Sequence, residues 1–147
     1  MKIYLAHPIS FSNFAAVRGY FARAKNDLYL YDVYYPMIAK GYLREEKDFK
    51  PSGYKQAISC DHAIIERDYW MVSISDVVFL NFSEAERVSI GCMMELAWAY
   101  QLRKHTVVVM PAGNIHIHSF VKEAADIIFE TYEEAIEYLV KLIEKSF

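Results

Sequence analysis

At 147 residues the chain is long enough for one domain with a single sizeable core. Apolar residues make up 54% of it and charged residues 24%, a balance that excludes a disordered chain. The net charge is −3, with no polybasic run or basic stripe, which argues against a nucleic-acid polymer as partner. A small anionic ligand is not excluded, because a helix N-terminus binds one without excess basic charge.

The longest apolar runs are too short to span a bilayer, so no membrane partner is expected. The opening "MKIYLAHPIS" enters a strand-like run at once and has no signal-peptide pattern. Cys60 and Cys92 fall in helical segments and read as two reduced core thiols of a cytoplasmic protein.

Strand and helix patterns alternate along the chain. "KIYLA" (2–6) is a short β-branched and aromatic run closed by His7-Pro8, and residues 11–27 carry helical spacing. "LYLYDVYYP" (28–36) reads as a second strand, and residues 37–53, mixed and charged, as an exposed excursion. A helix is predicted from about Tyr54 to Ser73. "DVVFLNF" (76–82) is a near-continuous apolar run, as in a strand covered on both faces.

The loop "SEAERV" leads to a helix from about Ser89 to Lys104, and "TVVVM" (106–110) and "DIIFE" (126–130) are further strands. "TYEEAIEYLVKLIEKSF" closes the chain as an amphipathic helix, with Thr131 and Glu134 spaced as a capping box. This alternation implies one α/β domain over residues 1–147, a doubly wound parallel sheet of five strands in the order 2-1-3-4-5. Ligands of such folds bind beyond the carboxyl ends of the strands at the switch point. Here that means Ala6 to Ser12, Asn81 to Ser89, and the helix starts behind them.

Glu95 stands in "SIGCMMELAWAY", where Met93, Met94, Leu96 and Ala97 leave little arc for solvent. Burying a carboxylate costs several kcal/mol, about that order, unless it is paired or hydrogen-bonded. A half-buried acid at a crevice is a candidate nucleophile or acid–base group. Ser89 sits where an N-cap belongs; the same turn could hold a phosphate, with Gly91 allowing close approach.

Asp68, like Glu66 and Arg67, reads by itself as a solvent-facing helix residue, Asp76 as a turn residue and Tyr4 as core with a phenol able to reach a nearby carboxylate. His116 and His118 form an H-x-H pair with no third ligand at recognisable spacing, so no metal site is expected. The common dinucleotide, phosphoryl-transfer and serine-hydrolase signatures are absent.

Three blocks, "IYLAHPIS", "IERDYWMVSISDVVFLNF" and "SIGCMMELAWAYQLRKHTVVVM", resemble in order and spacing the nucleoside 2-deoxyribosyltransferase family, which includes nucleoside 5′-monophosphate N-hydrolases. Residues 37–60 and 111–122 match it poorly. The resemblance implies that Glu95 is the glutamate that attacks the anomeric carbon, Tyr4 the tyrosine that orients it, and Asp68 the aspartate handling the proton of the leaving base. Asp76 falls on an acidic position common at the start of the third strand.

Departures from the family pattern bear on the substrate. The transferases usually carry Asp six residues before the nucleophile, whereas this chain has Ser89, similar to the nucleotide hydrolases. A Ser at a helix N-terminus can donate to a 5′-phosphate that an Asp would repel. His7 replaces a small residue after the first strand, and Ser10 an arginine, with Arg18 a few turns on. Asn114 and His116 stand nearest to the Asn that a neighbouring subunit lends in the transferases.

The resemblance thus implies N-glycosidic cleavage of a nucleoside 5′-monophosphate, no metal or organic cofactor, and a homodimer or larger assembly with a shared site. Base exchange between 2′-deoxynucleosides, or a non-catalytic nucleotide-binding module, are the alternatives.

Overall fold

The computed structural model describes residues 1–10, 12–47 and 49–144. Five parallel strands, β1 (Lys2–Ala6), β2 (Asp32–Tyr34), β3 (Val77–Asn81), β4 (His105–Val109) and β5 (Ile127–Phe129), form one sheet in the order β2-β1-β3-β4-β5. The helices are α1 (Phe14–Asp27), α2 (Asp61–Ile74), α3 (Ile90–Gln101), α4 (Ser119–Ala124) and α5 (Tyr132–Ile143). The expected single α/β domain and strand order are those observed. The direction of winding reverses between β1 and β3, so the crevice opens beyond Ala6 and Asn81.

Two-residue alternation divides the strands between two cores. Ile3, Leu5, Val77, Phe79, Val107 and Val109 pack with Val17, Phe21 and Ala24 of α1 and Ala135 and Leu139 of α5. Tyr4, Ala6, Val78, Leu80 and Val108 pack on the other side with Met71 and Val72 of α2 and Cys92, Leu96 and Ala99 of α3. All five residues of β3 are buried, as a strand covered on both faces requires.

The helix starts are set by local donors and acceptors. Asn13 caps α1 by accepting from Ala16 N–H, and Ser89 caps α3 by accepting from Cys92 N–H. Thr131 and Glu134 form the full capping box expected before α5. At the far end of the sheet Asp76 accepts from the Lys2 backbone N–H at 2.7 Å, tying the first turns of β1 and β3 together.

Several boundaries differ from the sequence reading. The predicted second strand over 28–36 shrinks to three residues: Leu28 caps the C-terminus of α1, and Tyr31 donates its hydroxyl to Leu139 O at 2.6 Å. Their apolar character serves the α1–α5 core rather than a strand. The helix predicted from Tyr54 becomes a 3₁₀ turn at Ala57–Ser59 followed by α2, and Cys60 between them is exposed rather than a core thiol.

The excursion over 37–53 is only partly exposed; Lys40, Leu43 and Phe49 are buried. α4 was not anticipated, since six residues are too few to show a helical period. The start of the first predicted helix at Phe11 and the end of the last at Lys145–Phe147 lie outside the described residues.

Candidate active site

Glu95 lies in the second turn of α3 with only 6% of its surface exposed. Its main hydrogen-bond partner is not on its own helix. The phenol of Tyr4, from the middle of β1 and fully buried, donates to Glu95 Oε1 at 2.6 Å. The alternation of β1 turns Tyr4 towards α3 while Ile3 and Leu5 face α1. Asp68 of α2 is also buried, against its own reading as a surface residue, and its Oδ1 has no hydrogen-bond partner.

Burial, together with the Asp68 charge, pushes the Glu95 carboxyl up to about 8; the Tyr4 hydroxyl, the Cys92 thiol and the Lys40 ammonium pull it back. Burial pushes Asp68 up to about 6, opposed by Lys40 and Arg67. Near neutrality the two carboxyls therefore hold about one proton between them, and they titrate as a pair. Burial and the Glu95 and Asp68 charges raise the Tyr4 phenol well above its usual range, so it remains a donor.

Lys40 was missed by the sequence reading. It is 5% exposed and lies in the segment after β2. Burial lowers its pKa, while Asp68 first and Glu95 less strongly favour its charge. Arg67 holds that segment to α2 by donating to Pro36 O at 3.3 Å and Ile38 O at 2.6 Å. No sequence periodicity could have shown this, because the burial arises from a contact between distant segments.

The loop residues form a second layer. Asn114 donates its amide to Phe82 O at 2.7 Å, and its Oδ1 lies 3.1 Å from His116 Nδ1. His116 stacks on Phe82 at 4.0 Å and accepts the Ser89 N–H on Nε2 at 3.0 Å. These contacts place the imidazole proton on Nδ1, donating to Asn114, and burial lowers the His116 pKa, in keeping with a neutral ring. Thus His116 is the loop residue expected, but a buried one that braces the Ser89 turn and is itself held by Asn114.

Ser89 is half-buried, and its Oγ accepts from Cys92 N–H at 3.3 Å, which leaves the hydroxyl proton to donate. A Cβ built at exposed Gly91 meets nothing within 4 Å, so the fold itself does not require glycine there. His7 stacks on Tyr20 at 3.8 Å and donates from Nδ1 to Asn81 O at 3.3 Å; burial lowers its pKa to about 4. Ser10 is exposed in the loop after β1. Among the described residues no group of three or more His, Cys, Asp and Glu could hold a metal ion. None of the described helices is long and apolar enough to cross a membrane.

The fold is a doubly wound α/β sheet with a tyrosine-held glutamate and a second buried carboxyl at its crevice. The sequence model of the nucleoside 2-deoxyribosyltransferase family matches residues 3–136, and the chain belongs to that family. It is accordingly an enzyme of N-glycosidase or deoxyribosyltransferase type, acting on small nucleosides or nucleotides.

Among solved structures the chain is similar to 2-desoxiribosyltransferase from Leishmania mexicana, at 17% identity, 97% and 99% coverage of the two chains and a TM-score of 0.64. It is also similar to the Clostridium botulinum CMP N-glycosidase BcmB (14% identity, 97% of each chain, TM-score 0.57). A conserved protein from Enterococcus faecalis V583 matches at 18% identity, with 97% and 87% coverage and a TM-score of 0.52. At these identities the likeness is one of fold. Comparison with curated protein sequences gives no match.

Proposed function

We propose that the protein cleaves the N-glycosidic bond of a nucleoside 5′-monophosphate through a covalent intermediate on Glu95. The observation that carries this reading is the buried 2.6 Å hydrogen bond from Tyr4 to Glu95, which aims one carboxylate oxygen and stabilises its charge. Asp68 is the second carboxyl of the pair, as retaining glycosidases use.

Glu95 attacks C1′ as the C–N electron pair passes to the base nitrogen, and the Asp68 proton goes to the base. A water then attacks C1′, gives its proton to Asp68 and releases Glu95, with retention at the anomeric carbon. The higher Glu95 value favours keeping the single proton there. Cleavage needs it on Asp68, and a base nitrogen accepting from Asp68 stabilises that arrangement. No metal or organic cofactor enters these steps.

Ser89 at the α3 N-terminus supports a 5′-phosphate, to which its hydroxyl and the open amides of the first turn can donate. His7, Ser10 and Gly91 border the same end of the sheet. The substrate sits between them and the carboxyl pair in this reading, within a single domain spanning residues 1–147.

A homodimer sharing its sites is supported by exposed apolar side chains on the Glu95 side of the sheet. They include Trp70 on α2, Ile90 and Met94 on α3 and Phe120 on α4. Large apolar side chains left exposed on these packed helices favour an interface there. The compartment in which such an enzyme would work is the cytoplasm.

Incubation with ribo- and deoxyribonucleosides and their 5′-monophosphates, with and without a free acceptor base, tests the reading. Base release from monophosphates without acceptor is expected. Product formed only with a second base would overturn hydrolysis in favour of 2-deoxyribosyl transfer, the chemistry that the family's description favours.

A further inference from the structure

Two polar side chains whose charges act on Glu95 lack partners. Asp68 Oδ1 makes no hydrogen bond. Among the described residues the Lys40 ammonium makes no hydrogen bond and no ion pair within 4.0 Å, although Asp68 is the charge that acts on it most strongly. Opposite charges held near each other without touching leave a gap that a ligand can bridge, and the unpartnered Asp68 Oδ1 is costly to bury.

The position of Lys40 is built rather than incidental. Ala39 before it has φ 61°, in the left-handed region that non-glycine residues seldom occupy. Lys40 N–H closes the turn onto Met37 O at 3.1 Å. Arg67, the residue before Asp68, clamps the carbonyls of Pro36 and Ile38, and Ile38 packs against the core that holds Tyr4 and Leu96. Met37 and Leu43 pack on the α1 side and Ile38 on the α2–α3 side, so the turn crosses the edge of the sheet, and the Lys40 charge acts on Asp68 and Glu95.

Granted the N-glycosidase reading, on which this rests, we propose that Lys40 selects the leaving base. It donates to an exocyclic carbonyl oxygen next to the ring nitrogen that Asp68 protonates. Two adjacent donors call for two adjacent acceptors, the pattern of N7 and O6 on a 6-oxopurine; adenine presents N7 beside an amino donor, which an ammonium cannot satisfy. The positive charge also stabilises the electron pair that the base takes with it. A phosphate is the poorer occupant, because Asp68 and Glu95 lie in the same pocket and would repel it.

Inosine and adenosine 5′-monophosphates, ribo and deoxy, differ in oxygen against amino at position 6 and in the proton that N1 carries in the 6-oxo form. Base release and calorimetric binding are measured for both with wild-type protein, Lys40→Met and Lys40→Gln. The wild type is expected to favour the inosine form by about 10- to 100-fold in kcat/KM. Lys40→Met should lose that preference by weakening the inosine side, and Lys40→Gln, whose amide donates or accepts, should narrow it.

A wild-type ratio near one, a preference for adenine, or a ratio unchanged in both variants would overturn the role of Lys40 alone. Neither release nor binding of any nucleotide would overturn the N-glycosidase reading, and the role of Lys40 with it.

Discussion

The two sides of the sheet use the same strands for different ends. On the α1–α5 side, Ile3, Leu5, Phe79, Phe21 and Leu139 form an apolar core. On the α2–α3 side the alternate residues of those strands surround Tyr4, Asp68 and Glu95, with Lys40 beside them. The first side keeps the chain folded. The second side accepts the cost of buried ionisable groups, which an enzyme tolerates only where it uses them.

The sharpest way to break that division is Glu95→Gln. Loss of the proposed nucleophile should lower base release about a thousandfold or more. Stability should move the other way. The folded Glu95 pKa of about 8 lies above its usual 4.5, so the folded state holds a proton that the unfolded state releases between those values. Wild-type stability contributed by this group is full below about 4.5, falls as pH rises through 8, and stays low above it. The amide lacks that loss, so chemical denaturation above pH 8 should find Glu95→Gln the more stable protein.

Asp68→Asn comes next, with a loss of about 10²- to 10⁴-fold in kcat. Because the active pair holds one proton, wild-type kcat/KM should be bell-shaped between limbs near 6 and 8, and the variant should lose one limb. Phe79→Ala, on the other side, should cost about 3–5 kcal/mol of stability in denaturant titration and leave kcat of the folded fraction unchanged.

Tyr4→Phe removes one hydrogen bond to a charged group, expected to lower kcat roughly tenfold or somewhat more. Ser89→Asp should have the smallest effect on kcat and raise KM for monophosphates more than for nucleosides; an equal rise in both would leave Ser89 as a helix cap only.

The sequence already showed the sheet order, because each of the four strand runs 2–6, 76–82, 106–110 and 126–130 is a local apolar signal. It misjudged residues 28–31 because an apolar run that covers a helix end looks like a strand. Glu95 stood out as an acid in an apolar helix, and the resemblance pointed to Tyr4 and Asp68.

Lys40 and the His116 brace were invisible for a common reason. The turn that carries Lys40 is held by Arg67 across 31 and 29 residues, and His116 accepts from Ser89 across 27, which no period within a helix or strand records.

Peptide mass spectrometry of acid-quenched reactions with nucleoside 5′-monophosphates tests most directly that Glu95 is the nucleophile. A sugar-phosphate adduct should map to Glu95 and vanish in Glu95→Gln together with base release. An adduct on another residue, or base release persisting at the wild-type rate in Glu95→Gln, would contradict it.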